Sequence, residues 1–173
     1  MTTLHGALLD VHGVGVLLLG SSGVGKSECA LELVSRGHRL VADDVVELES
    51  TPEGRAIGRA PRSVRHYMEI RGVGIIFIPD LFGPERVREE IAVDLVCRIE
   101  RWREGAEYDR LGLERGEEQL VGVKVPSLTL PARPGASMAT IVDVAAREHR
   151  QRSRGVNAAS RLDAQLRDEM RRS

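Results

Sequence analysis

The chain has 173 residues, of which 42% are hydrophobic, enough for one domain with a sizeable buried core. Its net charge of -1 gives no electrostatic case for binding nucleic acid. No apolar run is long enough to span a membrane and no segment resembles a signal peptide, so we expect a cytoplasmic protein with no membrane partner. Cys29 and Cys97 are isolated in the sequence, which favours buried, reduced thiols over a disulfide or a metal site.

The predicted elements follow from apolar runs bounded by turn residues and from helical spacing. Strands are predicted at 5–10, 14–19, 38–42, 45–49, 55–59, 91–99, 120–123 and 125–130. Helices are predicted at 27–34, 138–150 and 157–171. Segment 60–84 is rich in glycine, proline and charge around a short apolar piece, which indicates a functional loop region. Residues 100–119 are charged and punctuated by glycine, which predicts a mobile segment.

The segment between the second strand and the first helix fits the pattern G-x-x-x-x-G-K-[ST] at every position. Strand, glycine loop and helix in this order are the context that a phosphate-binding loop, or P-loop, requires. Its backbone N–H groups can surround a polyphosphate, Lys26 can reach the β- and γ-phosphates, and the Ser27 hydroxyl can bind Mg²⁺. The predicted nucleotide-binding residues are Gly20, Ser21, Ser22, Gly23, Val24, Gly25, Lys26 and Ser27.

The fold class predicted from these elements is α/β, with a P-loop nucleotide-binding core, a strand-rich sheet and two C-terminal helices. Because the strand content is high for a P-loop protein, we expect a mixed sheet and not a purely parallel one.

Phosphoryl transfer also needs a carboxylate, to hold Mg²⁺ or to accept a proton from the attacking hydroxyl. Asp43 and Asp44 follow an apolar strand shortly after the P-loop, where such a carboxylate would emerge. Repulsion between them would keep one more basic and better able to take a proton. His5 precedes a strand expected to pair with the P-loop strand, and Arg110 lies in a loop from which it could stabilise transferred charge. Taken alone, His5 and Arg110 are each more typical of solvated surface residues.

Together these segments resemble the catalytic domain of HPr kinase/phosphorylase. The matching text runs in order through nearly the whole chain: His5-Gly6, Val14 to Ser27, Arg36 to Asp44, Met68 to Ile76, Glu107 to Gly112, Arg133-Pro134-Gly135 and Val144-Ala145-Ala146. The run Glu-Ile-Arg-Gly-x-Gly-Ile-Ile beginning at Glu69 is far more specific than a P-loop.

The resemblance implies a bacterial enzyme that uses ATP and Mg²⁺ to phosphorylate a regulatory serine of the protein HPr. In the reverse direction it implies attack of inorganic phosphate on phosphoserine-HPr, which yields pyrophosphate. Asp44 resembles the residue that takes the proton of the target serine and returns one in dephosphorylation, with Asp43 in support. By resemblance the catalytic residues are His5, Lys26, Asp43, Asp44 and Arg110, and the Mg²⁺ ligands are Ser27 and Glu69. Homohexamers are expected from the same resemblance.

Three features depart from the family pattern. The usual Arg-Pro-Gly-Arg-Asn reads Arg133-Pro134-Gly135-Ala136-Ser137 here, and that region is associated with dephosphorylation, which puts the phosphorylase activity in doubt. Phe77 stands where asparagine or aspartate is common. The family's usual N-terminal domain is absent, so we expect residues 1–173 to form a single catalytic domain. Whether Met1 is the natural start stays open.

Three other functions remain alternatives at this point. A GTPase-type switch lacks its guanine-reading motif [NT]-K-x-D, because neither Lys26 nor Lys124, the only lysines, has an aspartate two residues later. A small-molecule kinase would have the same P-loop. A family member that has lost catalysis and only binds a partner is disfavoured by the retained Lys26, Ser27, Asp44 and Glu69.

Overall fold

The computed structural model describes residues 1–173 without a gap. Its strands are β1 (Thr2–His5), β2 (Ala7–Val11), β3 (Val14–Leu19), β4 (Arg39–Ala42), β5 (Val45–Ser50), β6 (Ala56–Arg59), β7 (Tyr67–Ile70), β8 (Gly74–Phe77), β9 (Glu90–Ala92), β10 (Leu95–Arg101), β11 (Gly116–Leu120) and β12 (Val123–Ala132). Its helices are α1 (Lys26–Ser35), α2 (Ile78–Phe82), α3 (Met138–Ser153) and α4 (Ala158–Arg172). Short 3-10 turns lie at Arg62–Val64 and Pro84–Arg86.

The central six-stranded sheet has the order β11-β12-β10-β3-β2-β4. Strands β3, β10 and β12 run parallel, whereas β2, β4 and β11 add antiparallel pairs. This arrangement confirms the predicted mixed sheet. One face packs on α1 and α3, and the other face packs on a second sheet of order β1-β5-β6-β9. Because both faces are covered, every residue of β2 and β3 is buried.

Two predicted strands are wrong in their extent, because the chain passes from one sheet to the other within each. The strand expected at 5–10 divides at Gly6, where a β-carbon would lie 2.7 Å from a carbonyl oxygen of β3. The strand expected at 91–99 divides before Asp94, whose carboxylate accepts a 2.9 Å hydrogen bond from the Gly15 N–H. Apolar residues lie on both sides of each crossing, so the sequence pattern does not mark them.

The predicted loop region 60–84 is more ordered than expected. It contains the antiparallel hairpin β7–β8, followed by α2. Met68 of β7 is buried in the same apolar cluster as Leu33 of α1, so the hairpin packs on the helix that follows the P-loop. Phe77, one of the departures from the family pattern, pairs across the hairpin with Tyr67, with ring centroids 4.7 Å apart.

The segment after β10 also differs in part from the expectation. Residues 102–115 form an irregular loop, but β11 begins at Gly116. The strand predicted at 120–123 is wrong, because Val121 and Gly122 form the tight turn between β11 and β12, both with positive φ. The C-terminal helices are confirmed, and they begin at the N-caps Ser137 and Asn157.

The remaining general expectations concern cysteines and membranes. Both cysteines are buried and unpaired, as predicted, and burial raises the pKa of each thiol to about 12. None of the four helices has the combination of length and apolar character that crossing a bilayer requires.

Candidate functional site

The P-loop occupies the end of the central sheet between β3 and α1. Gly20, Gly23 and Gly25 all have positive φ angles, a conformation that side chains disfavour. Gly20 is constrained further, since a β-carbon there would lie 2.5 Å from the Ile99 carbonyl oxygen of β10. The glycine spacing is therefore required by the backbone path, which turns from a buried strand directly into the first turn of α1.

Lys26 is the first residue of α1 and folds back over the loop. Its ammonium donates to the carbonyl oxygens of Gly20, at 2.7 Å, and Ser21, at 3.1 Å. These contacts hold one positive charge at the helix N-terminus, where the free N–H groups of α1 also concentrate positive potential. This arrangement is suited to a polyphosphate anion.

Ser27 and Asp43 form the second part of the site. The Ser27 hydroxyl lies 3.0 and 3.1 Å from the two carboxylate oxygens of Asp43, to which it donates. Asp43 comes directly after β4, so the fold joins α1 to a strand at the far edge of the sheet. A hydroxyl and a carboxylate supply the hard oxygen ligands that Mg²⁺ prefers, so these residues fit that ion. The sequence-based ligand set omitted Asp43.

The pKa of Asp43 is raised to about 6, chiefly by burial; the Ser27 hydrogen bond opposes the rise and the adjacent Asp44 charge contributes to it. The sequence had predicted that repulsion would make one of the two aspartates more basic. The structure identifies that residue as Asp43, and the larger cause is burial, not repulsion.

Asp44 lies beside His5, at the place where β1 leads into β2 and β4 leads into β5, so that the chain passes between the two sheets at both points. Its φ of 68° turns the chain from β4 into β5, and its carbonyl oxygen accepts a 3.1 Å hydrogen bond from the Gly6 N–H. The His5 Nδ1 and Asp44 Oδ1 atoms are 3.9 Å apart, and both side chains are more than 80% exposed, at 84% and 81%. Asp43 is half-buried and Asp44 is exposed, so the Asp44 carboxylate is free to meet a large incoming substrate.

The other two predicted site residues are not joined to this group. Glu69 lies on β7 and faces solvent, without a hydrogen bond or ion pair to Ser27 or Asp43. Arg110 lines a cavity of about 590 Å³ between the 102–115 loop, β12 and the start of α4. The loop is fixed to α3 at two points, since Arg115 of the loop binds Glu148 of α3 and Arg152 of α3 donates to the Gly112 carbonyl oxygen of the loop. The roles of Glu69 and Arg110 therefore stay predictions.

Arg101 is a candidate that the sequence reasoning missed. One of its guanidinium nitrogens lies 3.9 Å from the place where a β-carbon of Gly23 would be. Because β10 runs parallel to the neighbouring β3, both strands end at the P-loop edge. This topology could have identified Arg101. A residue at the end of a strand parallel to the P-loop strand and next to it lies near the phosphate-binding loop. Arg101 brings a second positive charge to the loop.

The Arg133–Ser137 segment contacts other parts of the molecule through its two ends. The Arg133 guanidinium lies 5.3 Å from the centre of the Trp102 ring, which stacks on Tyr108. Ser137 accepts a hydrogen bond from the Thr140 N–H and so caps α3. Ser137, one of the departures from the family pattern, thus has a structural role, whereas the Ala136 side chain has none that the structure gives.

We expect the affinity for Mg²⁺ to depend on pH through Asp43. Because its raised pKa keeps the carboxyl protonated below about pH 6, and a metal ligand must be deprotonated, affinity should be full above that pH and fall about tenfold per pH unit below it. Calorimetric titration of Mg²⁺ with an ATP analogue from pH 5 to 8 measures this slope. Asp43→Asn should bind Mg²⁺ weakly and without this dependence on pH. Glu28→Gln, which changes a neighbouring carboxylate, should retain the dependence. A wild-type affinity that does not change with pH would contradict the assignment of Asp43 as a ligand.

Comparison with known proteins gives a consistent result. The family model for the HPr Serine kinase C-terminal domain matches residues 1–166. HPr kinase/phosphorylase from Thermoanaerobacter sp. is 54% identical over 164 residues, which cover 95% of this chain and 54% of the relative. The protein of the same description from Caldicellulosiruptor bescii is 51% identical over 170 residues, covering 98% and 55%. The chain thus spans about half the length of the curated relatives it matches.

A solved structure has a similar fold. The structure of the Hpr(Ser) kinase/phosphatase from Coxiella burnetii matches with a TM-score of 0.82 and 32% sequence identity. The match covers 90% of this chain and 94% of that chain.

Proposed function

The chain belongs to the family of HPr serine kinase C-terminal domains, and on this premise we propose that it transfers the γ-phosphate of ATP to a regulatory serine of HPr. The observation that carries the proposal is the placement of the Ser27–Asp43 pair and the exposed Asp44 at the P-loop edge of one sheet. A phosphate cradle, a metal-binding pair and a free carboxylate are the parts that this transfer requires.

In the proposed forward reaction the amides of the P-loop, Lys26 and Arg101 hold the polyphosphate. Bound Mg²⁺ would neutralise charge on the β- and γ-phosphates, with Ser27 and Asp43 as its protein ligands and Glu69 as a further candidate. The serine oxygen of HPr bonds to the γ-phosphorus while the bond from that phosphorus to the β,γ-bridging oxygen breaks. The serine proton goes to Asp44, and ADP leaves.

Asp44 suits the role of base better than Asp43 for a geometric reason. Asp43 is half-buried and already accepts the Ser27 hydroxyl, whereas the Asp44 carboxylate is exposed beside His5. A serine on the surface of a folded protein can approach an exposed group only. His5 would then orient Asp44 or share its proton, and Arg110 would be the residue that stabilises charge on the transferred phosphoryl group.

The same groups support the reverse reaction. An oxygen of inorganic phosphate bonds to the phosphorus of phosphoserine-HPr, the bond to the serine oxygen breaks, and Asp44 returns the proton to serine. Pyrophosphate is the second product, and it presents to the P-loop amides oxygens like those of the ATP polyphosphate. One cradle can therefore serve both directions.

Replacing Ala136 by arginine should strengthen this reverse reaction. Ala136 lies in the exposed turn before α3, where a guanidinium could hold the attacking phosphate through a charge-assisted hydrogen bond worth about tenfold in rate. Pyrophosphate release from phosphoserine-HPr measures the gain, and the forward rate should stay unchanged. Ala136→Gln is the control of similar length without the charge. Equal phosphorolysis by wild type, Ala136→Arg and Ala136→Gln would rule out the anchoring role.

We also propose that the chain forms homohexamers in the cytoplasm. The support is α4, which buries no residue and carries Leu162, Leu166 and Met170 at four-residue spacing, 46%, 50% and 76% exposed. An exposed apolar stripe of this kind marks an interaction surface. Light scattering on the eluting protein measures the mass, and a monomer at working concentrations would contradict the proposal.

The proposed activity can be tested with purified HPr, ATP and Mg²⁺. Intact-mass spectrometry should find one added phosphate, and peptide mapping should locate it on serine. An HPr variant with alanine at that serine should stay unmodified. No modified HPr at high enzyme concentration would contradict the proposal, and phosphorylation of a metabolite in the absence of HPr would favour a small-molecule kinase.

A further inference from the structure

Three potential metal ligands meet at the opposite end of the central sheet from the P-loop. His12 lies in the turn that precedes β3, His38 follows α1 just before β4, and Asp143 lies on α3. We call these three residues the His-His-Asp cluster. Because β3 separates His12 from the P-loop by six residues, the cluster is roughly 20 Å from the phosphate cradle. It takes no part in the reaction proposed above.

The cluster has the dimensions of a metal site. The His12 Nε2 atom lies 2.8 Å from Asp143 Oδ1, and the His38 Nε2 atom lies 3.4 Å from Asp143 Oδ2. One ligand atom from each residue lies within 4.8 Å of the others. In a tetrahedral zinc site with bonds of about 2.0 Å, ligand atoms are about 3.3 Å apart. Small side-chain rotations are therefore sufficient to place one ion between the three groups.

We propose that His12, His38 and Asp143 bind one divalent transition-metal ion, of which zinc is the best fit. Two imidazoles and one carboxylate are a donor set that zinc uses when a fourth position remains open for water. The same nitrogen-rich set disfavours Mg²⁺ and Ca²⁺, which take oxygen ligands. A cavity of about 410 Å³ gives an ion access to the histidine side of the cluster; it is lined by both histidines, Gly13, Gly37, Asp10, Arg36 and Arg39.

The surroundings fix the ligands in place. Arg147 donates to Asp143 Oδ1 at 2.7 Å, and Arg150 donates to the His12 carbonyl oxygen at 3.0 Å. Hydrogen bonds of this kind orient ligand side chains in metal sites. The guanidinium of Arg147 also competes with a cation for the same carboxylate, so we expect weaker binding than in a site without a neighbouring positive charge.

Binding at this cluster would fasten three elements together. The ion would join the turn leading into the P-loop strand, the segment leaving the P-loop helix, and α3. Because such a site exists only in the folded chain, bound metal must raise the midpoint of thermal unfolding. The cluster is thus inferred to stabilise the framework that carries the P-loop.

The test uses the full chain without a polyhistidine tag, stripped with chelator and then kept in excess Mg²⁺ to occupy the Ser27–Asp43 pair. Zn²⁺ is titrated by calorimetry and thermal unfolding, and Co²⁺ is titrated by its visible absorption. Wild type should bind one ion per chain, unfold at higher temperature with Zn²⁺, and give the intense absorption of low-coordinate Co²⁺.

Substitutions of the ligands separate this site from adventitious binding. His12→Asn keeps a residue that tolerates the positive φ of 56° at this turn, and His38→Gln keeps the side-chain volume. Each should weaken Zn²⁺ binding by about 100-fold or more, since even loss of a supporting residue costs 10 to 100-fold. His149→Gln, on the same helix as Asp143 but outside the cluster, should bind like wild type.

Two results would overturn the proposal. One is a wild-type chain with neither Co²⁺ absorption nor a Zn²⁺-dependent rise in unfolding temperature. The other is Zn²⁺ affinity in His12→Asn equal to that of wild type, or a loss in His149→Gln as large as in His12→Asn. Circular dichroism of the metal-free variants establishes that they are folded, and Asp143→Asn replaces any variant that is not.

Discussion

Replacing Lys26 by alanine is expected to lower kcat/KM about 1000-fold for phosphorylation of HPr and to abolish pyrophosphate formation in the reverse assay. The ammonium is held over the P-loop by the Gly20 and Ser21 carbonyl oxygens, where it would face the β- and γ-phosphates of bound ATP. Removing one preorganised charge or donor from such a site costs 100 to 1000-fold in rate, and in the proposed mechanism Lys26 serves both directions.

The chain provides a matched control for this substitution. Lys124, the only other lysine, is exposed on β12, and Lys124→Ala should leave both reactions unchanged. Intact mass of HPr measures the forward rate, and a coupled enzymatic assay measures pyrophosphate. A Lys26→Ala enzyme that works within tenfold of wild type would exclude the phosphate-contacting role.

Asp44→Asn should lower phosphoryl transfer by 100 to 10,000-fold, the range for loss of a general base, while affinity for ATP with Mg²⁺ stays nearly constant. The variant should fold, since asparagine tolerates the φ of 68° that this turn requires. Asp43→Asn should behave differently, because it removes the partner of Ser27 and therefore weakens binding of the metal as well.

The two aspartate variants are distinguished by measuring nucleotide binding and the phosphoryl-transfer step separately. Calorimetry gives the affinity for the ATP analogue with Mg²⁺, and single-turnover kinetics give the transfer step. Normal transfer by Asp44→Asn would mean that the base is another residue. A large loss of nucleotide affinity in Asp44→Asn would instead place Asp44 among the metal ligands.

Local patterns predicted the parts of the site that are contiguous in sequence. The P-loop, the strand before it and the helix after it all lie within 22 residues. Periodicity and glycine spacing were therefore sufficient to predict these three elements. His5 was placed near the P-loop because β2 was expected to pair with β3, and Asp44 because it follows an apolar strand shortly after the P-loop; the structure brings the two side chains together. These predictions needed only strand pairing and one motif.

Contacts between distant segments could not be predicted in the same way. Asp43 meets Ser27 across the sheet, Arg101 reaches Gly23 from a parallel strand, and the His-His-Asp cluster joins residues 131 positions apart. The two sheet crossings, at Gly6 and before Asp94, lie inside segments with apolar residues on both sides, so the sequence does not mark them. All of these features depend on tertiary contacts between segments, and a short stretch of sequence does not contain that information.

In the proposed mechanism, main-chain amides of the P-loop hold the ATP polyphosphate beside the Asp43–Asp44 turn. Hydrogen–deuterium exchange measured by mass spectrometry, with and without Mg²⁺ and a nonhydrolysable ATP analogue, tests it directly. We predict slower exchange in peptides covering residues 20–27 and 42–46 of wild type, and none of this slowing in Lys26→Ala. Protection confined to the cavity at residues 102–115, with the P-loop peptide unchanged, would contradict it.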